Sequence, residues 1–406
     1  MKKEILLSSM ILAGGFGFTQ EEDSVSLGMG YANRSYYSFA DGEVANVDNT
    51  AWDLAFDVSS FGATIRLNGI QQDLYLYDGD TADFATLDTA GLYSWDSYIN
   101  GNESWWDGAL NKGGDPDDAA DLGWGIYNST THHINGENLY VLESADGEFK
   151  KLIINKLASG TYSFHYANLD NSGEEFKTIA KGDYSGKNFA YFDLSAGEEI
   201  DLDPPKTDWD ILFINYAEEL APGYIGGVTG AFSNVDVNVA EITDVPEDEA
   251  DHTTGTFSPN LSEIGYDWKT FDFPTFSYFI EDSMTYFIQT VEGDVWKVFF
   301  THFGGSMTGK IKFNKEQVAF AGVVENWEES LAIFPNPAND HLNIISANND
   351  LASAEIYTTA GRVVYTIAID GATTQIQTDA LPNGMYVLKL TSNSGESRTE
   401  IISVNH

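Results

Sequence analysis

His132 and His133 stand side by side in the segment IYNSTTHHI, and His165 follows in the alternating run YSFHYANLD. Imidazole is a common haem-iron ligand, and that chemistry needs two donors on opposite sides of the iron within an apolar slot. Residues 68–131 hold neither His nor Met, so the partner donor would have to be His165 or the weaker oxygen of Tyr98. Hard-oxygen donors occur at short spacing in Asp78, Asp80 and Asp83, and again in Asp115, Asp117, Asp118 and Asp121. Such carboxylates suit calcium, although neither group follows an EF-hand loop and a solvated acidic loop is the plainer reading. Trp95, Tyr98, Trp105, Trp106 and Trp124 lie among Gly, Asn and Asp. Aromatics in so loop-rich a segment either cap the core or form a platform for a sugar, a flat ring or another protein, and Trp105 and Trp106 are the candidate contacts.

Catalysis has a poorer signature. The sequence contains no G-x-S-x-G elbow, H-E-x-x-H pair, P-loop or glycine-rich dinucleotide fingerprint. The missing motifs make the chain read as a non-enzyme; with 63 Asp+Glu in 406 residues, any chosen carboxylate pair is uninformative about glycoside hydrolysis, and a hydrolase ranks third. The formal charge of −43 repels phosphate backbones and anionic headgroups, which excludes nucleic acid as a partner. Absence of cysteine removes disulfides, thiolate metal sites and the lipid-modified cysteine of lipoproteins, so stability must come from packing.

The elements that would position these residues are strands. Short runs rich in Val, Ile, Phe, Tyr and Thr recur between Gly, Asn, Asp and Ser clusters, as in KVFFTHFGG and YVLKLTSNSG, and helical periodicity is nearly absent. The chain is all-β. It also repeats itself: SYYSFADGEVANVDNTAWDLAFDV (35–58) has a counterpart in FAYFDLSAGEEIDLDPPKTDWDILFINY (189–216), which sets Trp52-Asp53 against Trp209-Asp210. LYVLESADGEFKKLII (139–154) likewise matches TYFIQTVEGDVWKVFF (285–300), pairing Tyr140 with Tyr286 and Lys151 with Lys297. Each of these last segments reads as a β-hairpin reversing at Asp146-Gly147 or Glu292-Gly293. In the W-D element, Trp and the Phe four residues on are expected on one face of a strand, with Asp on the other, and both indoles as core plugs.

Residues 1–20 carry Lys2 and Lys3, an apolar run from Ile5 to Leu12 and an acidic exit, the pattern of a cleaved secretory signal. Nothing afterwards has the apolar length of a membrane-spanning helix. VENWEES reads as a linker at 323–330, and the acidic stretches around Asp115 and Asp248 as loops. Residues 21–330 hold 15 Lys+Arg against 55 Asp+Glu, so the body is the polyanion.

Two resemblances follow from these residues. YYSFADGEVANV, AWDLAF, IRLNG, IYNSTTHHI, YVLESADGEFKKL and TYSFHY, in order, resemble the HmuY-like family of Bacteroidota over about 26–175, with a looser second copy over 185–318. That resemblance implies two tandem antiparallel β domains, 21–180 and 181–322, and haem or a related tetrapyrrole held between axial side chains, with His132 and His133 at the matching position. The last 76 residues, with Phe334-Pro335-Asn336-Pro337, Ile356-Tyr357, Gly361-Arg362 and Leu381-Pro382-Asn383-Gly384-Met385-Tyr386, closely resemble the type A C-terminal sorting domain of the type IX secretion system. Tyr386, Leu388 and Leu390 should form one buried face of a small sandwich over 331–406. The resemblance implies periplasmic transit, passage across the outer membrane through the type IX machinery, and a secreted or surface-held product. Haem or a related tetrapyrrole is the ligand the HmuY-like resemblance implies, a glycan is the one the Trp105/Trp106 segment would take, and a structural or adhesive surface protein binding polysaccharide or another protein is the alternative.

Overall fold

Strands such as Asn33–Ser38, Leu54–Asp57 and the start of Ile211–Ala221 carry buried side chains on successive residues, so both their faces are covered and four sheets of the first unit stack. The computed structural model describes residues 20–319, 331–346, 351–358, 362–369, 371, 373–392 and 397–406. Residues 1–19 of the expected secretory signal, and the expected linker at 323–330, lie outside the described residues. The chain divides into two units, Met1–Phe320 and Ala321–His406.

The first unit contains two antiparallel sandwiches. In one, a sheet ordered Glu198–Ile200, Phe189–Asp193, Leu54–Asp57, Ile65–Leu67 faces a seven-stranded sheet running from Gln72–Leu76 to Glu175–Ala180. Leu54, Phe56 and Ile65 from the small sheet meet Tyr140, Leu152, Ile154 and Phe164 from the large one. In the other, a sheet ordered Tyr224–Ser233, Ile211–Ala221, Asn33–Ser38, Gly42–Asp48 faces the five strands Glu21–Ser26, Lys310–Ala319, Val295–Phe303, Met284–Gln289 and Asn238–Thr243. Tyr37, Phe39, Ile211 and Phe213 pack there on Tyr286, Ile288, Phe300 and Phe313.

The duplication is visible as a reciprocal exchange. Tyr37 pairs with Ile211, Tyr36 with Leu212 and Ser35 with Phe213. At the cognate positions Phe192 pairs with Leu54, Tyr191 with Ala55 and Ala190 with Phe56. The hairpin 33–48 of the first copy therefore lies in the sheet of Ile211–Ala221, and the hairpin 189–200 of the second lies in the sheet of Leu54–Asp57. Strand pairing runs across residue 180, and a division there into 21–180 and 181–322 would part strands that share a ladder.

Hydrogen bonds repeat with the strands. The Asp53 amide donates to Phe192 O at 2.9 Å and its carboxylate accepts from the Leu194 amide at 2.7 Å. Asp210 makes the same pair of bonds with Tyr37 O at 2.8 Å and the Phe39 amide at 2.8 Å. Asn68 Nδ2 donates to Trp52 O at 2.9 Å, and Asn234 Nδ2 to Trp209 O at 2.7 Å. These asparagines hold the indole-bearing residues outside the ladder, which corrects the expectation for the W-D element. Trp52 packs with Ala55, and Trp209 with Leu212 and Ile214, while Phe56 and Phe213 point to the opposite face. The hairpin turns fall at Gly147 (φ 84°) and Gly293 (φ 94°), a left-handed backbone that favours glycine.

The second unit is a sandwich of three strands, Leu331–Phe334, His341–Ser346 and Thr373–Gln377, against four, Val363–Ala368, Leu351–Thr358, Gly384–Ser392 and Ser397–Val404. Tyr386, Leu388 and Leu390 share its core with Leu342, Ile344, Ile356 and Ile402, as the alternation predicts. Ala360-Gly361 falls outside the described residues. No helix among the described residues is long and apolar enough to cross a membrane.

Candidate functional site

The two small sheets of the first unit turn their outer faces toward one another, and Trp105 lies between them. Its ring meets Phe189 at 5.7 Å, Phe232 at 5.8 Å and Trp209 at 6.4 Å, and Nε1 donates to Ser233 O at 2.8 Å. Trp105 is thus a packing plug between copies. Trp106 beside it is 44% exposed and touches Phe189 at 6.0 Å. Trp124 is fully buried with Nε1 on Ala63 O at 2.8 Å, and Trp95 rests on Tyr77 at 5.3 Å. The tryptophan cluster is dispersed rather than assembled into one platform.

The histidines are not brought together. His132 sits at the tip of the hairpin formed by Gly125–Asn128 and His133–Gly136, exposed, with Nδ1 2.7 Å from the Tyr127 hydroxyl. Asn128 Oδ1 holds that turn by accepting from the amides of Thr130 at 2.9 Å and Thr131 at 3.1 Å. His165 is buried on Thr161–Asn168, clasped by Phe84 at 4.3 Å and Phe176 at 4.9 Å, with Nδ1 3.1 Å from Asn155 Oδ1. Burial holds its pKa below the usual imidazole value. Leu157 pairs with Ile134 and Ala158 with Thr161, so the register sets His133 level with Thr161, two strands over. Four residues at about 3.3 Å each then place His133 about 13 Å along the strand from His165. Two strand spacings of about 4.8 Å add about 10 Å across the sheet, so the two backbones lie about 16 Å apart, and two imidazoles bound about 2 Å from one iron do not span that distance.

The aspartates serve their own loops. Asp80 Oδ1 accepts from the Ala82 amide at 2.8 Å and caps the 3-10 turn Thr81–Ala85, and Asp83 accepts from the Tyr77 hydroxyl at 3.3 Å. Asp78 is exposed beside them. Asp121 binds the amides of Asp115 at 2.8 Å and Gly123 at 2.9 Å, Asp115 that of Asp117 at 2.9 Å, and Asp118 that of Ala120 at 2.9 Å. Among the described residues no three or more His, Cys, Asp or Glu side chains group as a metal site requires.

Two features went unread in the sequence. One is the hairpin Lys269–Asp272/Ser277–Ile280, whose segment WKTFDFPTFSYFI is dense in aromatics. Phe273, Phe276 and Phe279 are 75%, 82% and 56% exposed. Phe271 braces Phe273 at 5.1 Å and Phe276 at 6.3 Å, and Tyr278 anchors the base edge-on to Phe303 at 4.7 Å. Phe276 adopts φ 50°, costly for a bulky residue, as the turn presents its ring to solvent. The other is a polar network where the copies meet. The hydroxyls of Tyr36 and Tyr191, cognate residues, both donate to Asp203 Oδ1, the second at 2.7 Å, while Arg34 Nη1 donates to each phenol at 3.3 Å. The Arg34 guanidinium stacks over Trp52 at 4.7 Å and Tyr191 at 5.0 Å. Burial raises the Asp203 pKa, opposed by the two phenols and Arg34.

The C-terminal unit is a small antiparallel sandwich. Residues 332–405 match the family described as the secretion system C-terminal sorting domain, and this unit is a type IX sorting domain. The protein is accordingly secreted, exported to the cell surface or outer membrane. Comparison with curated proteins finds no match. Similar solved structures include PorZ, described as an essential bacterial surface component of the type IX secretion system of Porphyromonas gingivalis, at 10% identity over 76% of this chain and 50% of that one, TM-score 0.18. Dimeric latent PorU of the same organism follows at 12% identity, 67% and 26% coverage and TM-score 0.17, and a polysaccharide lyase at 7%, 96% and 46%, TM-score 0.16. The chain spans half or less of each of these structures, and scores this low carry no argument about fold or function.

Proposed function

We propose that the exported body is a non-enzymatic, HmuY-like binding module displayed at the cell surface, and that it grips a neutral glycan through the aromatic hairpin 269–280. The observation that carries this reading is the cluster of Phe273, Phe276 and Phe279, exposed at 75%, 82% and 56% on a braced two-stranded support. Aromatic faces receive the C–H faces of sugar rings without needing a charge, and exposed apolar rings grouped this way mark contact surfaces. With 55 acids against 15 bases on residues 21–330, an anionic polymer would be repelled, which favours an uncharged one. Haem, the ligand suggested by the HmuY-like resemblance, fits less well, since the candidate histidines occupy separate surroundings.

The test is affinity electrophoresis in gels containing neutral polysaccharide. The wild-type protein should be retarded and the Phe273→Ala/Phe276→Ala variant should run freely; equal mobility of the two would refute the reading. A hemin titration provides the opposing outcome. A saturable Soret shift, lost on His132→Ala or His133→Ala, would return haem to first place.

A further inference from the structure

Arginine is scarce in this polyanion: residues 21–330 contain two, Arg34 and Arg66. Both are buried, 2% and 5% exposed, and both line one cavity of about 40 Å³ between the outer faces of the two small sheets. No carboxylate is among the residues lining it.

The cavity wall has donors without acceptors. Arg34 spends Nη1 on the two phenols, but its Nε and Nη2 have no hydrogen-bond partner. Trp52 Nε1 and the Tyr216 hydroxyl, on side chains that are each 7% exposed and line the same cavity, also have none. Buried polar atoms are ordinarily satisfied, and four unpartnered donors on three residues lining one cavity call for an acceptor there. Against the lowering effect of burial, Tyr36, Tyr191 and Asp203 raise the Arg34 pKa, so what Arg34 lacks is acceptors for its remaining N–H groups rather than a counter-charge. Arg34 meets the Asp203 carboxylate only through Tyr36 and Tyr191, and Arg66 donates to backbone carbonyls, Ser104 O at 2.9 Å and Trp105 O at 3.1 Å. Burial accordingly drives the Arg66 pKa down to about 10, as expected for a guanidinium without a close carboxylate.

We infer that this cavity binds a small monocarboxylate of the formate or acetate class, its oxygens facing Arg34, Trp52 and Tyr216. A guanidinium fork matches a planar carboxylate better than a spherical or tetrahedral anion. The volume holds about three water molecules, which is the size of such an acid. Leu212 and Phe232 supply apolar wall for a short tail.

The experiment is calorimetric titration of the full chain with sodium acetate and, separately, sodium formate, at ionic strength held constant with sodium chloride. Saturable one-to-one binding is expected. Tyr216→Phe removes a donor and keeps the ring, and Trp52→Phe removes the N–H together with the five-membered ring, so each should weaken acetate about tenfold. The melting temperature of Tyr216→Phe in acetate-free buffer should be unchanged or higher, because a buried donor without a partner is lost at constant packing. Arg34→Lys should weaken acetate at least as much. Absence of saturable binding of either acid, or binding that both donor-deleting variants leave untouched, would overturn the inference and assign the cavity to water. The Phe273→Ala/Phe276→Ala variant should bind acetate normally, which separates this site from the glycan reading.

Discussion

Asp210 supplies the sharpest test of how the two copies are joined. Its carboxylate is 6% exposed and accepts the Phe39 amide at 2.8 Å, a bond that crosses from the second copy to the first. Burial raises its pKa from 3.8 to about 6, aided by nearby Glu292 and Asp294 and opposed by the Phe39 amide and Ser38. A raised acid pKa means that the folded protein holds its proton more tightly than the unfolded chain does. The contribution to stability is therefore complete below the unfolded value, near pH 4, and is lost as pH rises through about 6. At about 1.4 kcal/mol per pKa unit, the rise from 3.8 to about 6 corresponds to about 3 kcal/mol. Asp210→Asn keeps an oxygen acceptor for Phe39 and removes the charge. Urea denaturation of wild type and variant across this range should show a stability difference growing by about 3 kcal/mol in favour of Asn between about pH 4 and pH 8. Subtracting one protein from the other cancels the many other carboxylates. A difference that stays flat with pH, or grows in favour of Asp, would refute the burial of Asp210 at this junction. Asp53, its cognate, also has a raised pKa and should behave with the same sign.

Other outcomes follow from the same geometry. Deleting residues 331–406 should leave the body inside the periplasm, whereas the full chain reaches the surface or medium, as immunoblots of cell fractions would show. Trp105→Ala removes contacts with Phe189, Trp209 and Phe232 and should cost about 3 kcal/mol by denaturation; a loss under about 1 kcal/mol would contradict its role as a plug. Gly230→Ala would place a Cβ 2.2 Å from Gly265 O and should destabilise the body by about 1–3 kcal/mol, measured the same way.

Much of this architecture was legible because strands announce themselves locally. The hairpins at Gly147 and Gly293, the alternation of Tyr386, Leu388 and Leu390, and the equivalence of Trp52 with Trp209 depend on neighbours within a few residues. The exchange of hairpins was not legible, because nothing in SYYSFADGEV says whether its partner is Leu54–Asp57 or Ile211–Ala221. The faces of Trp52 and Phe56 were misjudged for a related reason. Asn68 and Asn234, which hold the tryptophan carbonyls out of register, lie 16 and 25 residues away in sequence. Site residues were the least readable. His132, His133 and His165 looked alike in sequence, yet one is an exposed turn residue and another is sandwiched between two phenylalanines. Arg34 and Arg66 carried a signal in their rarity, and the hairpin 269–280 in its aromatic density, but neither follows a spaced motif.

The exchange itself is open to one direct measurement. A specific protease site inserted after Gly182, in the segment between Glu175–Ala180 and Phe189–Asp193, would cut the body between its copies. Because hairpin 33–48 stays laddered to Ile211–Ala221 and hairpin 189–200 to Leu54–Asp57, the cut protein should elute from a native sizing column as one species at the position of the intact chain. Two separately eluting, folded fragments would contradict the account.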